Sequence, residues 1–211
     1  MAPGVHPALA EFIETKVIPR YDAFDKAHRR SHALEVISRA LALADYYDVD
    51  RNVLYVAAAC HDLGLSVDRA SHHLHSGRII RQMQELAQWF TPSQIETIAQ
   101  AAEDHRASSG RPPRSIYGRI VAEADRLIVP ESIIRRTVQY GLGNYPELDK
   151  EGHWARTLEH LHEKYYYGGY LKLWIPESDN AEKLEELRQI IGDEAALRRV
   201  FERIWDEESK S

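Results

Sequence analysis

The sequence predicts an all-α fold, on three observations. Apolar residues recur three and four positions apart along nearly the whole chain, and no segment alternates apolar with polar as a half-buried strand does. Glycine, proline and capping residues fall between the periodic stretches, where helix ends are needed.

Leu9, Phe12, Ile13 and Val17 share one face of a first helix, which Pro19 ends. A second helix is expected over His32 to Tyr47, with Val36, Ile37, Ala40, Leu41 and Ala44 inward. A third, from about Asn52 to Asp62, carries Ala57-Ala58-Ala59-Cys60, small enough to let neighbouring helices approach, and Gly64 stands where a stop is expected. After a histidine-rich turn, Ile79, Ile80, Met83, Leu86 and Ala87 mark a fourth helix ending near Phe90. Thr91-Pro92-Ser93-Gln94 has the form of a capping box with proline at the first helical position, and Ile95, Ile98, Ala99 and Ala102 continue towards His105.

Ser108 to Ser115 is a loop rich in Ser, Gly, Pro and Arg. Ile116, Ile120, Val121 and Ala124 lead a further helix to Asp125, and Pro130 interrupts it. Ile133 to Tyr140 reads as helical, and a longer helix begins near Pro146 and runs into the aromatic-glycine stretch Tyr165 to Tyr170. Asn180 to Glu208 reads as two amphipathic helices broken near Gly192. The aromatics between Gly168 and Glu177 are assigned to packing, which is where large aromatic side chains usually serve.

With 211 residues, 44% hydrophobic and 28% charged, the composition suits one soluble domain around one core. A single domain over 1–211 is expected, with the chemistry between about 20 and 130 and a helical extension over about 140–211. The balance of 27 basic against 33 acidic residues, a formal charge of −6, argues against a nucleic-acid polymer as partner. No apolar run is long enough for a membrane span, and the first residues lack the basic-then-apolar order of a secretory signal. The lone Cys60 excludes an intramolecular disulfide, so the expectation is a cytoplasmic protein. The amphipathic C-terminal helices suggest a homodimer.

Eleven histidines are the unusual feature. His61-Asp62 closes the small-residue helix, where both side chains can turn to one point; alone, the dipeptide is better explained by a histidine favoured at a helix C-terminus. His32 lies on the partly apolar face of Val36 and Leu43, the ordinary place for a hydrogen-bonded core histidine. Asp125 follows Val121 and Ala124, and a carboxylate there needs a salt bridge or a metal to neutralise it.

In order, His32, His61-Asp62 and Asp125 sit on separate predicted helices, within His28-Arg-Arg-Ser-His32, Ala58-Ala-Cys-His61-Asp62-Leu-Gly64 and Ala122-Glu-Ala-Asp125. This order resembles the HD-domain superfamily of metal-dependent phosphohydrolases, whose signature is a histidine, a His-Asp pair and a distal aspartate. The resemblance covers about residues 20 to 130 and implies an HD-domain helical bundle with additional C-terminal helices. In Ser71-His72-His73-Leu-His75-Ser-Gly77, His73 stands four residues before glycine, as in members that hold two metals; it is the expected ligand, with His72 the alternative. His105 matches the next histidine of those members.

The resemblance thus implies one divalent ion held by His32, His61, Asp62 and Asp125, and a second held by the bridging Asp62 with His73 and His105. Mixed nitrogen and oxygen donors suit Mn, Fe, Co, Ni or Zn, and Mg less readily. The implied activity is hydrolysis of a phosphomonoester or phosphodiester in a small, nucleotide-type substrate by metal-activated water. Asp62 is expected to be catalytic with His28 and Arg114, and Arg106, Arg111 and Arg114 to bind phosphate, for which guanidinium forks are suited. Two other functions fit the same resemblance: a di-iron oxygenase of the same fold, or a ligand-binding module without turnover.

Overall fold

The computed structural model describes residues 3–24, 28–108 and 110–209. Among them are ten α-helices and no strand: α1 (Pro7–Phe12), α2 (Arg30–Leu43), α3 (Arg51–Cys60), α4 (His72–Gln82), α5 (Pro92–Asp104), α6 (Ile116–Asp125), α7 (Pro130–Asn144), α8 (Lys150–Lys164), α9 (Asn180–Gly192) and α10 (Glu194–Glu208). None is long and apolar enough to cross a membrane. The chain divides into two compact units, Met1–Arg126 with Trp174–Ser178, and Leu127–Leu173 with Asp179–Ser211.

In the first unit α3 is the central element. Every residue from Val53 to Cys60 is buried, and a helix apolar on all sides must be enclosed by others. α2, α5 and α6 pack against it, while α4 lies on α5 and on the short turn Leu63–Ser66. Ala57, Ala58 and Ala59 are fully enclosed and present only a methyl each, which permits the close approach. Leu54, Leu63, Ile98 and Ile120 fill the space between, each contributing roughly 1.5–3 kcal/mol from removal of apolar surface from water.

The helix starts are written locally. Asp50 accepts the Asn52 amide at 2.8 Å to open α3. Thr91 Oγ1 accepts from the Gln94 amide at 3.3 Å while Gln94 Oε1 accepts from the Thr91 amide at 3.0 Å, the reciprocal capping box expected at α5. Ser115 accepts from the Gly118 amide at 3.2 Å at the head of α6.

Three expectations are corrected. The histidine-rich segment is no turn: it is the first two turns of α4, which starts at His72 and stops at Gln82, with a 3-10 turn carrying Leu86 afterwards. The start is set by Asp68, whose carboxylate accepts from both the amide (2.8 Å) and the hydroxyl (2.5 Å) of Ser71. Pro130 does not interrupt α6, which ends at Asp125; it opens α7 at the position where a missing N–H costs nothing. The first helix is not continuous either. α1 widens into a π turn over Ile13–Val17 and then tightens into a 3-10 turn over Ile18–Ala23 that contains Pro19.

The second unit is a bundle of α7 to α10, in which α7 packs on α8 and α10, and α9 on α10. Ile134, Val138, Leu161, Leu187, Leu197, Phe201 and Ile204 are fully buried in its core.

Candidate metal centre

Six donors converge in the first unit, and each sits at a helix end. His61 and His105 occupy the C-caps of α3 and α5, and Asp125 is the last residue of α6. His32 lies in the first turn of α2 and His72 is the first residue of α4. Three helix C-termini therefore face the same point, and their partial negative charge favours a cation there.

The donors form two groups joined by one carboxylate. Asp62 Oδ2 lies 3.3 Å from His61 Nε2 and 3.8 Å from His32 Nε2. Asp62 Oδ1 lies 3.3 Å from His72 Nε2 and 3.4 Å from His105 Nε2. Asp125 Oδ1 completes the first group, at 3.1 Å from His32 Nε2 and 3.7 Å from His61 Nε2.

The tautomers follow from what the other ring nitrogens meet. His61 Nδ1 faces the Ala58 carbonyl at 2.8 Å, His105 Nδ1 the Ala102 carbonyl at 2.5 Å and His72 Nδ1 the Arg69 carbonyl at 2.8 Å. A carbonyl only accepts, so in each ring Nδ1 carries the hydrogen and neutral Nε2 presents its lone pair. His72 Nε2 and His105 Nε2 then stand 3.1 Å apart, and His32 Nε2 and His61 Nε2 3.4 Å apart. Facing lone pairs beside a carboxylate repel unless a cation lies among them. The donor set thus fits a divalent metal at each group, with the backbone carbonyls orienting the rings.

Without a metal the carboxylates favour a protonated imidazole at His61, so a proton and a divalent cation compete for the same position. Burial alone would depress the His61 imidazole, yet the Asp62 and Asp125 carboxylates outweigh it and hold its pKa at about 9. Asp62 is held well below the usual carboxylate range: burial opposes this, and His61 and His105 overcome it. Burial, then the charges of His105 and Arg106, lower His72, and the same influences bring His73 down to about 4.

Of the residues proposed from sequence, His32, His61, Asp62, His105 and Asp125 are brought together, and His73 is not. His72 takes its place. His72 lies one turn before fully buried Ser76, whose hydroxyl receives the Gly64 amide at 2.9 Å just after Asp62. His73 lies one turn before Gly77, which abuts Glu103, and its Nδ1 is buried with no hydrogen-bond partner. The signal for His72 was present in the four-residue spacing His72, Ser76, Ile80, legible once the helix is known to start at His72.

Arg114 is likewise redirected. Its Nε meets Asp104 at 3.0 Å and its Nη2 meets Glu103 at 2.6 Å, so the guanidinium ties the loop to α5. Arg111 is half exposed, with a long contact to Asp104 at 3.5 Å. Arg106 donates to the Ala70 carbonyl. His28 stands beside His32, ring centroids 6.0 Å apart. Glu123 carried no sequence-based role, although a carboxylate between Ala122 and Ala124 signals a satisfied buried acid. It is fully buried, accepts from the Trp174 amide at 2.6 Å and the Ser178 hydroxyl at 2.5 Å, and ties Trp174–Ser178 to α6. A groove of about 630 Å³ along α2 and α3, lined by Leu34, Leu41 and Tyr55, contains none of the six donors.

Glu103 supports the floor of the site by bridging Arg81 (2.5 Å) and Arg114 (2.6 Å). Glu103→Ala is expected to cost about 2–3 kcal/mol at neutral pH, less than a wholly buried pair because the guanidiniums keep 34% and 31% of their surface. Burial works against ionisation of Glu103, but its two arginine partners win and hold its pKa below the usual value. Its contribution is therefore present above the ordinary carboxylate range and lost on acidification. In urea unfolding of metal-free protein, the deficit of the variant should shrink as pH falls below about 4.5; a deficit constant down to pH 2 would contradict the assignment.

No curated protein and no solved structure matches the chain significantly. The family model described as HD domain matches residues 29–129, the stretch that holds all six donors. HD domains are typically metal-dependent hydrolases, and the two groups of donors fit that chemistry. By this match, residues 29–129 form an HD domain, and the all-helical fold agrees with it.

Proposed function

We propose that this protein is a metal-dependent phosphohydrolase acting on a phosphomonoester or phosphodiester of a small, nucleotide-type substrate. The observation that carries the reading is the division of Asp62, one carboxylate oxygen facing His61 and His32 and the other facing His72 and His105. His32, His61, Asp62 and Asp125 would hold one ion; Asp62, His72 and His105 would hold the other. Divalent metals bound there lower the pKa of water and neutralise charge on phosphoryl oxygens.

The chain's own groups supply the rest. Arg106 has no carboxylate within ion-pair distance among the described residues, and its charge reaches His72 and His73, which suits it to grip a phosphate at the mouth. α2 and α4 enter the site by their N-termini, and neither has a side-chain cap, since the Ser71 hydroxyl is turned to Asp68. Their first amides favour an anion. His28, beside His32, is placed to give a proton to the leaving group. Fully enclosed His61 and nearly enclosed His105 keep bulk water from the inner wall.

The test is a panel of p-nitrophenyl phosphate, bis-p-nitrophenyl phosphate and nucleotides, with untagged protein loaded with Mn, Fe, Co, Ni or Zn. Metal-dependent release of phosphate or p-nitrophenol is expected. His72→Ala should hold one ion instead of two and lose on the order of 100-fold in kcat, whereas His73→Ala keeps both ions. Iron-dependent oxygen uptake with no hydrolysis of any ester would replace this function by the oxygenase alternative.

A further inference from the structure

We propose that Tyr21 is a positioning residue for the shared carboxylate: its hydroxyl sets the point at which the chain leaves α3 and turns Asp62 towards both groups of donors. The inference rests on the metal-binding function proposed above and adds a residue that is itself no metal donor.

Tyr21 lies in the 3-10 turn Ile18–Ala23, on the opposite side of two helices in sequence, and is fully buried. Its hydroxyl donates to the Ala59 carbonyl at 2.8 Å and accepts from the Asp62 amide at 3.3 Å. α3 ends at Cys60, and the carbonyls of a last helical turn have no partner within the helix. Two side chains take them over: the His61 imidazole meets Ala58 and the Tyr21 hydroxyl meets Ala59.

The consequence is local geometry. His61 keeps helical angles, φ −55° and ψ −36°, while Asp62 departs to φ −107° and ψ 7°. On a continuing helix, adjacent side chains point about 100° apart and cannot meet. With the exit placed at Asp62, its Oδ2 comes within 3.3 Å of His61 Nε2, and its Oδ1 is left for His72 and His105. A phenylalanine would keep the ring packing against Phe24, centroids 5.2 Å apart, but would leave a buried carbonyl and a buried amide without their shared partner.

Tyr21→Phe tests this, with Tyr55→Phe as the control that removes a hydroxyl from another buried position on α3. Metal affinity is read by competition with a chromophoric chelator, coordination by the visible spectrum of the cobalt(II)-loaded protein, and folding by circular dichroism. Tyr21→Phe is expected to keep the helical signal, to bind metal about 10–100-fold more weakly at both groups, as loss of an orienting partner does, and to shift the cobalt spectrum. Tyr55→Phe should match wild type in both readouts. The rise in Tm on metal loading is recorded for each protein, so that a lower stability of the metal-free variant does not count as weaker binding. Wild-type affinity, spectrum and Tm increment in Tyr21→Phe would overturn the proposal. Absence of metal binding by the wild-type protein would instead remove the metal-binding function, and this inference with it.

Discussion

Asp62→Ala is expected to purify with almost no bound transition metal and to lose on the order of 10³-fold or more in hydrolytic activity. Most donors serve one group, but Asp62 serves two, so one substitution weakens both ions at once. In the proposed hydrolysis several kcal/mol of transition-state stabilisation would depend on the ions, and about 4 kcal/mol corresponds to that loss of rate. The loss should not come from unfolding, because the side chain removed lies at the C-terminal edge of α3 and the apolar core around Leu54 and Ile98 is untouched. Metal analysis of untagged protein, beside circular dichroism, measures both. Retention of both ions by a folded Asp62→Ala protein would refute the bridging role. Asp125→Ala provides the contrast, since Asp125 lies within ion-pair distance of His32 and His61, and an ion between Asp62, His72 and His105 should survive.

Gly64→Ala is expected to have the second large effect, by a different route. A Cβ built on Gly64 falls 1.9 Å from the His72 carbonyl oxygen and 2.6 Å from the Ser76 amide nitrogen. Both are backbone atoms of α4, so no side-chain rotation relieves the overlap. The first turn of α4 must retreat, carrying His72 away from Asp62 and breaking the Gly64 to Ser76 hydrogen bond of 2.9 Å. A cost of about 3 kcal/mol is expected, at the upper end for overpacking in a well-filled interior. Metal content should fall from two ions to one, with the ion near His32, His61 and Asp125 retained. Urea unfolding and metal stoichiometry together check this; a variant of unchanged stability holding two ions would show that α4 yields at no cost.

Gly64 also shows where sequence and tertiary structure part. From the sequence it is a helix stop, but α3 already ends at Cys60 and Gly64 lies within the 3-10 turn Leu63–Ser66. What demands glycine there is the approach of another helix, which no local pattern records.

The convergence of His32, His61-Asp62, His105 and Asp125 was implied by the family resemblance, whereas the sequence by itself determined the helical class, the capping box at Thr91 and the buried small-residue helix. These last properties are local: periodicity and caps act over one or two turns. Tertiary structure alone decided between His72 and His73, because neighbouring residues on a helix point about 100° apart and the choice depends on which stripe faces Asp62. It alone assigned Arg114 to Glu103 and Asp104, and Glu123 to Trp174 and Ser178. A guanidinium or a carboxylate takes the nearest group of opposite character that folding brings within about 3 Å, and that neighbour is set by the packing of distant segments.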